Sequence, residues 1–162
     1  MFWSDHGYHL GEHGQWVKQA LFEPSTRIPL HFSGPGVPAR NHACPAPVEM
    51  LDIYPTLADL CGLISPPGLH GRSLKPLLEN PQVKWNHSAV SQVQRGKVMG
   101  YSIRTDRYRY TLWINLSNKG TEGEELYDYQ TDPREFKNIA ATAPRKAALR
   151  QQLEALLQAR GA

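Results

Sequence analysis

Six side chains able to do chemistry crowd into the first eighteen residues: Asp5, His6, His9, Glu12, His13 and Lys18. Gly7, Gly11 and Gly14 interrupt them, and that mixture has the composition of a ligand site rather than of a core. Phe2-Trp3 reads as the tail of a strand. Asp5 and His6, placed just beyond it, can both reach one cation, since ligands in open α/β sheets gather at the carboxyl ends of strands. Lys18 adds a compact ammonium on a flexible stem. Glu12 suits orienting a neighbouring His or Lys from outside the ligand shell, or capping a turn. His9 is expected to be structural or exposed. His9 and His13 are four apart, the spacing of a zinc pair on a helix, but Gly11 breaks the segment and no His-Glu-x-x-His order is present.

The elements that must position these groups follow from the pattern downstream. Trp16, Val17, Ala20 and Leu21 allow a short helix or an ordered loop before Pro24. Thr26 to Phe32 alternates as a strand does, with Pro29 marking an edge or a late start of pairing. Ser33 to Gly36 turns the chain, and the proline-rich residues 37–47 read as loop. Residues 52–62 predict a helix with Asp52 as N-cap, Pro55 in the first turn and Gly62 just past the end. Ile53, Leu57, Leu60 and Cys61 would form its apolar face, which predicts a buried, inert Cys61. Residues 64–72 are loop, and residues 73–78 give a short helical turn at most. After a linker at 79–88, Lys97 to Arg104 and Tyr108 to Trp113 read as a hairpin, with Glu125 to Tyr129 as a third antiparallel strand. Pro144 opens a terminal helix with Leu149, Leu153, Leu156 and Leu157 on one face.

Composition adds bounds. The chain has 162 residues, 40% hydrophobic, enough for one domain with a real core. No apolar run is long enough to span a bilayer, and no signal peptide is visible after Met1. The net charge of +3 is scattered, a mild hint of anionic partners, and no nucleic-acid motif is present. Cys44 and Cys61 are the only cysteines and fix neither a disulfide nor a redox compartment.

The run Ser4-Asp5-His6-Gly7, then Gly11-Glu12-His13-Gly14, then Lys18, resembles the C-terminal metal-and-sulfate motif of type I sulfatases, with the nearest look to iduronate-2-sulfatase-like members. Asp52-Ile53-Tyr54-Pro55-Thr56-Leu57, Gly71-Arg72-Ser73-Leu74 and Thr131-Asp132-Pro133-Arg134-Glu135 continue the likeness in order over nearly the whole chain. The resemblance implies the C-terminal part of an alkaline phosphatase-like α/β fold. Residues 1–78 would be a piece of its large domain carrying half a metal site. Residues 79–88 would be the linker, and 89–162 a small subdomain of antiparallel sheet and helix. It implies hydrolysis of sulfate esters, of a sulfated sugar in the nearest relatives, with Asp5 and His6 on a Ca²⁺ and Lys18 against the sulfate. His13 is either near the substrate or structural. It also implies a periplasmic or secreted location.

The family's formylglycine arises from Cys-x-Pro-Ser-Arg well before the Asp-His pair. Ala43-Cys44-Pro45-Ala46-Pro47 lacks that pattern and follows the pair, so Cys44 is not the nucleophile. Other calcium carboxylates are likewise expected upstream. The isolated chain is therefore expected to be inactive, to bind calcium weakly, and to expose apolar surface that drives self-association or pairing with a missing N-terminal portion. A metal-dependent phosphoesterase of the same superfamily and a non-enzymatic interaction module remain as alternatives.

Overall fold

The computed structural model describes residues 1–161. In chain order the strands are β1 (Phe2–Trp3), β2 (His9–Leu10), β3 (Trp16–Val17), β4 (Leu30–His31), β5 (Ala89–Arg95), β6 (Val98–Arg104), β7 (Tyr108–Asn115) and β8 (Thr121–Asp128). The α-helices are α1 (Glu23–Thr26), α2 (Ile53–Leu60), α3 (Lys75–Glu79) and α4 (Lys146–Ala159). By contact the residues divide into two units, and the division does not follow the sequence. One comprises Met1–Asp5 with Pro29–His87, the other His6–Ile28 with Ser88–Ala162.

The second unit is built on an antiparallel sheet of order β5-β6-β7-β8. Alternation along β6 and β7 sends Ile103, Tyr110 and Leu112 to one face, where with Leu126 they bury against Leu149, Leu153 and Leu157 of α4. The leucine spacing in α4 follows the helical period, and Gly161 adopts a left-handed conformation after its end. Hairpin, third strand and terminal helix match the expectation. β8 starts earlier than expected, at Thr121, and β5 adds a strand at a sheet edge.

The opposite face of that sheet carries Ser102, Arg109 and Thr111, all buried. It receives the segment that carries the glycine-rich motif. A Cβ at Gly100 would meet both Trp113 and Leu21, and the Phe22 ring lies edge-on to Tyr127 at 5.9 Å. Glu23 fastens the segment. Its carboxylate takes Arg104 Nε at 2.9 Å and Arg109 Nη2 at 3.4 Å, while its backbone N–H donates to Glu135 at 2.8 Å.

In the first unit β1 pairs antiparallel with β4, Phe2 opposite His31 and Trp3 opposite Leu30. Pairing begins just after Pro29, which has no N–H to give a ladder. A 3₁₀ turn over Met50–Asp52 leads into α2. Here two expectations need correcting. Asp52 stands at the N-cap position of α2, as expected, but its side chain makes no cap bond to that helix. Its buried carboxylate accepts the backbone N–H of Glu49 at 2.8 Å and of Arg72 at 2.9 Å. The face of α2 that is buried is that of Asp52, Pro55 and Thr56, not the leucine face. Thr56 Oγ1 accepts the N–H of Leu74 at 2.8 Å, and Asp59 accepts Ser73 Oγ at 2.6 Å. Polar groups thus seize the 71–75 segment, and Cys61 is exposed rather than buried. Leu57, Leu63 and Ile64 are also exposed, the last at 98%.

Candidate functional site

The glycine-rich segment folds as a compact hairpin within the second unit. β2 pairs with β3, His9 opposite Val17 and Leu10 opposite Trp16. Glu12–Gly14 forms the connecting 3₁₀ turn. Glu12 closes the turn, because Leu10 N–H donates to its carboxylate at 2.6 Å. Gly7 N–H donates to Ser25 O at 2.9 Å, and a Cβ at Gly7 would overlap the Pro24 carbonyl, so only glycine permits that approach.

Folding this hairpin brings two of the expected groups together. Lys18 Nζ lies 2.7 Å from His6 Nε2. On the other side of the ring, Nδ1 lies 2.7 Å from the Gly7 carbonyl. A carbonyl only accepts and an ammonium only donates. Those partners select the tautomer in which His6 Nδ1 carries the proton and Nε2 offers its lone pair toward Lys18. Val17, the residue before Lys18, is held at φ 71°. For a β-branched residue that is a costly left-handed conformation, of the kind that gathers at ligand sites.

Asp5 is exposed and directly precedes His6. One carboxylate and one imidazole suit a divalent cation as part of its ligand set, but a Ca²⁺ takes six to eight oxygens. Among the described residues no group of three or more His, Cys, Asp and Glu side chains is arranged to hold a metal ion. The residues present fit such an ion only as contributors.

His13 takes a different position from Lys18. Its ring stacks on Phe22 at 3.9 Å and 4° and lies 5.4 Å from the Phe136 ring, and its backbone is left-handed at φ 56°. His9 is structural. It is fully buried, with Nδ1 2.8 Å from Ser25 Oγ and no hydrogen-bond partner for Nε2 among the described residues. Burial, and then the nearby His13, push its pKa below the ordinary value of 6.5. Cys44 is exposed, its Sγ donating to the Pro81 carbonyl at 3.6 Å.

Sequence reasoning missed the anchor of this arrangement. Glu135 is buried and left-handed at φ 60°. It accepts Arg109 Nε at 2.6 Å, the Tyr129 hydroxyl and the Glu23 N–H. The only signal for it was a charged residue just after the Asp132-Pro133 turn.

Comparison with known proteins supplies the family. Residues 11–161 match the model described as N-sulphoglucosamine sulphohydrolase, C-terminal. The chain belongs to the sulfatase family. The chain is 37% identical over 157 residues to a sulfatase of Formosa agariphila, covering 97% of this chain and 29% of that protein. It is 32% identical to mouse iduronate 2-sulfatase, covering 85% of this chain and 37% of that one. Among solved structures, BT4656 in complex with its substrate D-glucosamine-2-N,6-O-disulfate superposes with a TM-score of 0.85 at 30% identity, covering 98% of this chain and 34% of that one. The sulfatase chain therefore spans about a third of the length of the relatives it matches. Its fold is that of sulfatase C-terminal regions, mixed α/β with an antiparallel sheet and a terminal helix.

Proposed function

We propose that these residues form the C-terminal part of a sulfatase site that hydrolyses a sulfate ester on a sugar. The observation that carries the reading is the 2.7 Å approach of Lys18 Nζ to His6 Nε2. It sets a point charge beside an imidazole that stands next to a carboxylate in sequence.

Lys18 binds a sulfate oxygen and offsets charge that builds there as the ester bond breaks, the role of a preorganised cation. Gly7 O fixes the proton on His6 Nδ1, and Nε2, whose lone pair Lys18 Nζ engages, becomes a ligand only when that ammonium turns to the sulfate. Asp5 and His6 would contribute to a calcium site whose remaining carboxylates lie outside these 162 residues. The calcium would supply the positive charge that neutralises sulfate oxygens and holds the nucleophile in place. No Cys-x-Pro-Ser-Arg occurs in the sequence, so the formylglycine also comes from outside it, and the 162 residues alone turn over no sulfate ester. His13, stacked on Phe22 and 5.4 Å from the Phe136 ring, would contact the sugar rather than the sulfate. A sugar substrate is favoured because BT4656 binds a glucosamine disulfate.

The test is a calcium titration of the chain followed by the His6 imidazole signals in NMR spectra. Binding in the range of about 10⁻⁴–10⁻³ M, typical of weak calcium modules, is expected, and Asp5→Ala should abolish it. His6 signals that ignore calcium, or sulfate release by the chain above an Asp5→Ala control, would overturn the reading.

A further inference from the structure

Lys18 stands on an exposed strap. Val17, Lys18 and Gln19 are all exposed, and the chain turns tightly after them, Ala20 N–H donating to Lys18 O at 2.8 Å. Val17 is held at φ 71°. A β-branched residue keeps that conformation only where its surroundings over-determine it. A lysine ammonium rides on a flexible stem, so it is placed only as well as the main chain beneath it.

The constraint comes from the end of strand β5. Arg95 Nε donates to Gln19 O at 3.0 Å, across 76 positions of sequence. Arg95 Nη2 donates to the same carbonyl and, at 3.0 Å, to Gln15 Oε1. These acceptors lie on either side of Lys18 in sequence, so one guanidinium spans the strap. Gln15 O in turn accepts Gly11 N–H at 3.0 Å, which carries the hold into the glycine-rich turn. A planar guanidinium fork is pre-organised for such paired contacts, and an ammonium is not.

The guanidinium is itself seated. Its carbon lies 5.3 Å from the centre of the Trp113 ring, within cation–π range. Trp113 Nε1 donates to Glu125 Oε1 at 2.9 Å, which fixes the ring. Gly100 stands opposite Trp113 across β6 and β7, and a Cβ there would meet both Trp113 and the buried Leu21. The absent side chain leaves room for the ring and for Leu21. The strap is thus held to the sheet by Leu21 below and by Arg95 above Trp113.

We propose that Arg95 is a positioning residue for the sulfatase reaction. It fixes the main chain around Lys18, so that the ammonium swings between His6 Nε2, 2.7 Å away, and a sulfate oxygen. Arg95 acts through Lys18 and not on the ester itself. The inference rests on the role given to Lys18 above.

Two measurements test it. The first uses the chain itself at about pH 8, where an ordinary imidazole is neutral, and reads the ¹⁵N shift of His6 Nε2 as a report of the contact with Lys18. Arg95→Ala should move that signal toward its value in Lys18→Ala, and Arg95→Lys should not restore it. Gln92→Ala, an exposed change on the same strand, should leave it in place. Arg95 is exposed, so melting temperatures should stay near that of the parent. A His6 signal unmoved by Arg95→Ala overturns the inference.

The second uses a complete enzyme in which these residues replace the matching third of BT4656. Arg95→Ala should lower kcat about 10- to 100-fold with little change in KM, the pattern of a misplaced group. On a Lys18→Ala background the same substitution should cost nothing further, since two changes acting through one group do not add. Additive losses, or an Arg95→Ala enzyme with the parental kcat, overturn the inference and leave the sulfatase reading standing. Sulfate release that survives Lys18→Ala intact removes that reading, and the inference with it.

Discussion

The Glu135 carboxylate receives the backbone N–H of Glu23 at 2.8 Å, across 112 positions of sequence. Through its other oxygen it takes Arg109 Nε at 2.6 Å. One buried acid thus ties the segment carrying His6, His13 and Lys18 to the sheet. Replacing it by alanine leaves Arg109 buried without its nearest counter-charge. Breaking such a pair costs about 3–5 kcal/mol, moderated here by Glu23 at 3.4 Å from Arg109. Urea unfolding of Glu135→Ala should show a loss of about 3 kcal/mol, and amide exchange over residues 20–26 should rise. A loss under about 1 kcal/mol would mean that the pair is not holding the segment.

Close backbone approach makes a second prediction. A Cβ at Gly7 would overlap the Pro24 carbonyl, and one at Gly71 would overlap that of Leu51. Neither obstacle is a flexible side chain, so Gly7→Ala and Gly71→Ala should each cost about 1–3 kcal/mol, the range for forced overpacking. Gly96→Ala is the comparison: nothing stands within 4 Å of its Cβ, and only the left-handed φ of 58° opposes it. That variant should lose about 1 kcal/mol. Equal losses at all three positions would contradict the packing argument.

Stability should fall in acid by two steps. His9 is buried in its neutral form, with burial first and His13 second holding its pKa below 6.5, against the opposing pull of Glu12 and Glu135. His87 is shifted the same way, by burial and then by Arg72. The unfolded chain binds these protons more readily, so stability is retained above the unfolded value and declines as pH drops through 6.5. The slope limit is about 1.4 kcal/mol per pH unit for each proton. Glu124 is depressed below 4.5 by the Tyr110 hydroxyl and then by Lys146, so its contribution is present above 4.5 and lost as pH falls below it. Unfolding curves at pH 7.5, 6 and 4 should show both losses. His9→Gln should flatten the first, and an unchanged slope in that variant would refute the assignment.

Legibility in the sequence varied with the range of the forces involved. Helix α4 and the hairpin of β6 and β7 were readable because their apolar spacing repeats locally and their ends carry turn residues. Helix α2 was found, but its buried face was misread. Leucines at helical spacing suggested one face, whereas Asp52 and Thr56 draw in backbone N–H groups of residues 72 and 74, and no local pattern announces those partners. Strand β5 (Ala89–Arg95) was assigned no element, because its Ser, Gln and Arg residues lack the aromatic and β-branched content that marked β6 and β7. In the candidate site the residue types were plain, and the pairing of His6 with Lys18 followed once the hairpin closed. The hold of Arg95 on the main chain beside Lys18 was invisible, since it joins residues 76 positions apart in sequence.

The central claim, that Asp5, His6 and Lys18 serve the sulfate ester, is tested most directly in a complete enzyme. Residues 1–162 would replace the matching third of BT4656, and sulfate release from D-glucosamine-2-N,6-O-disulfate would be measured. An active chimera should lose at least about 100-fold in kcat/KM with Lys18→Ala, the scale of one charge-stabilising donor, and at least as much with Asp5→Ala. A chimera that releases sulfate equally well with either residue replaced would contradict the account.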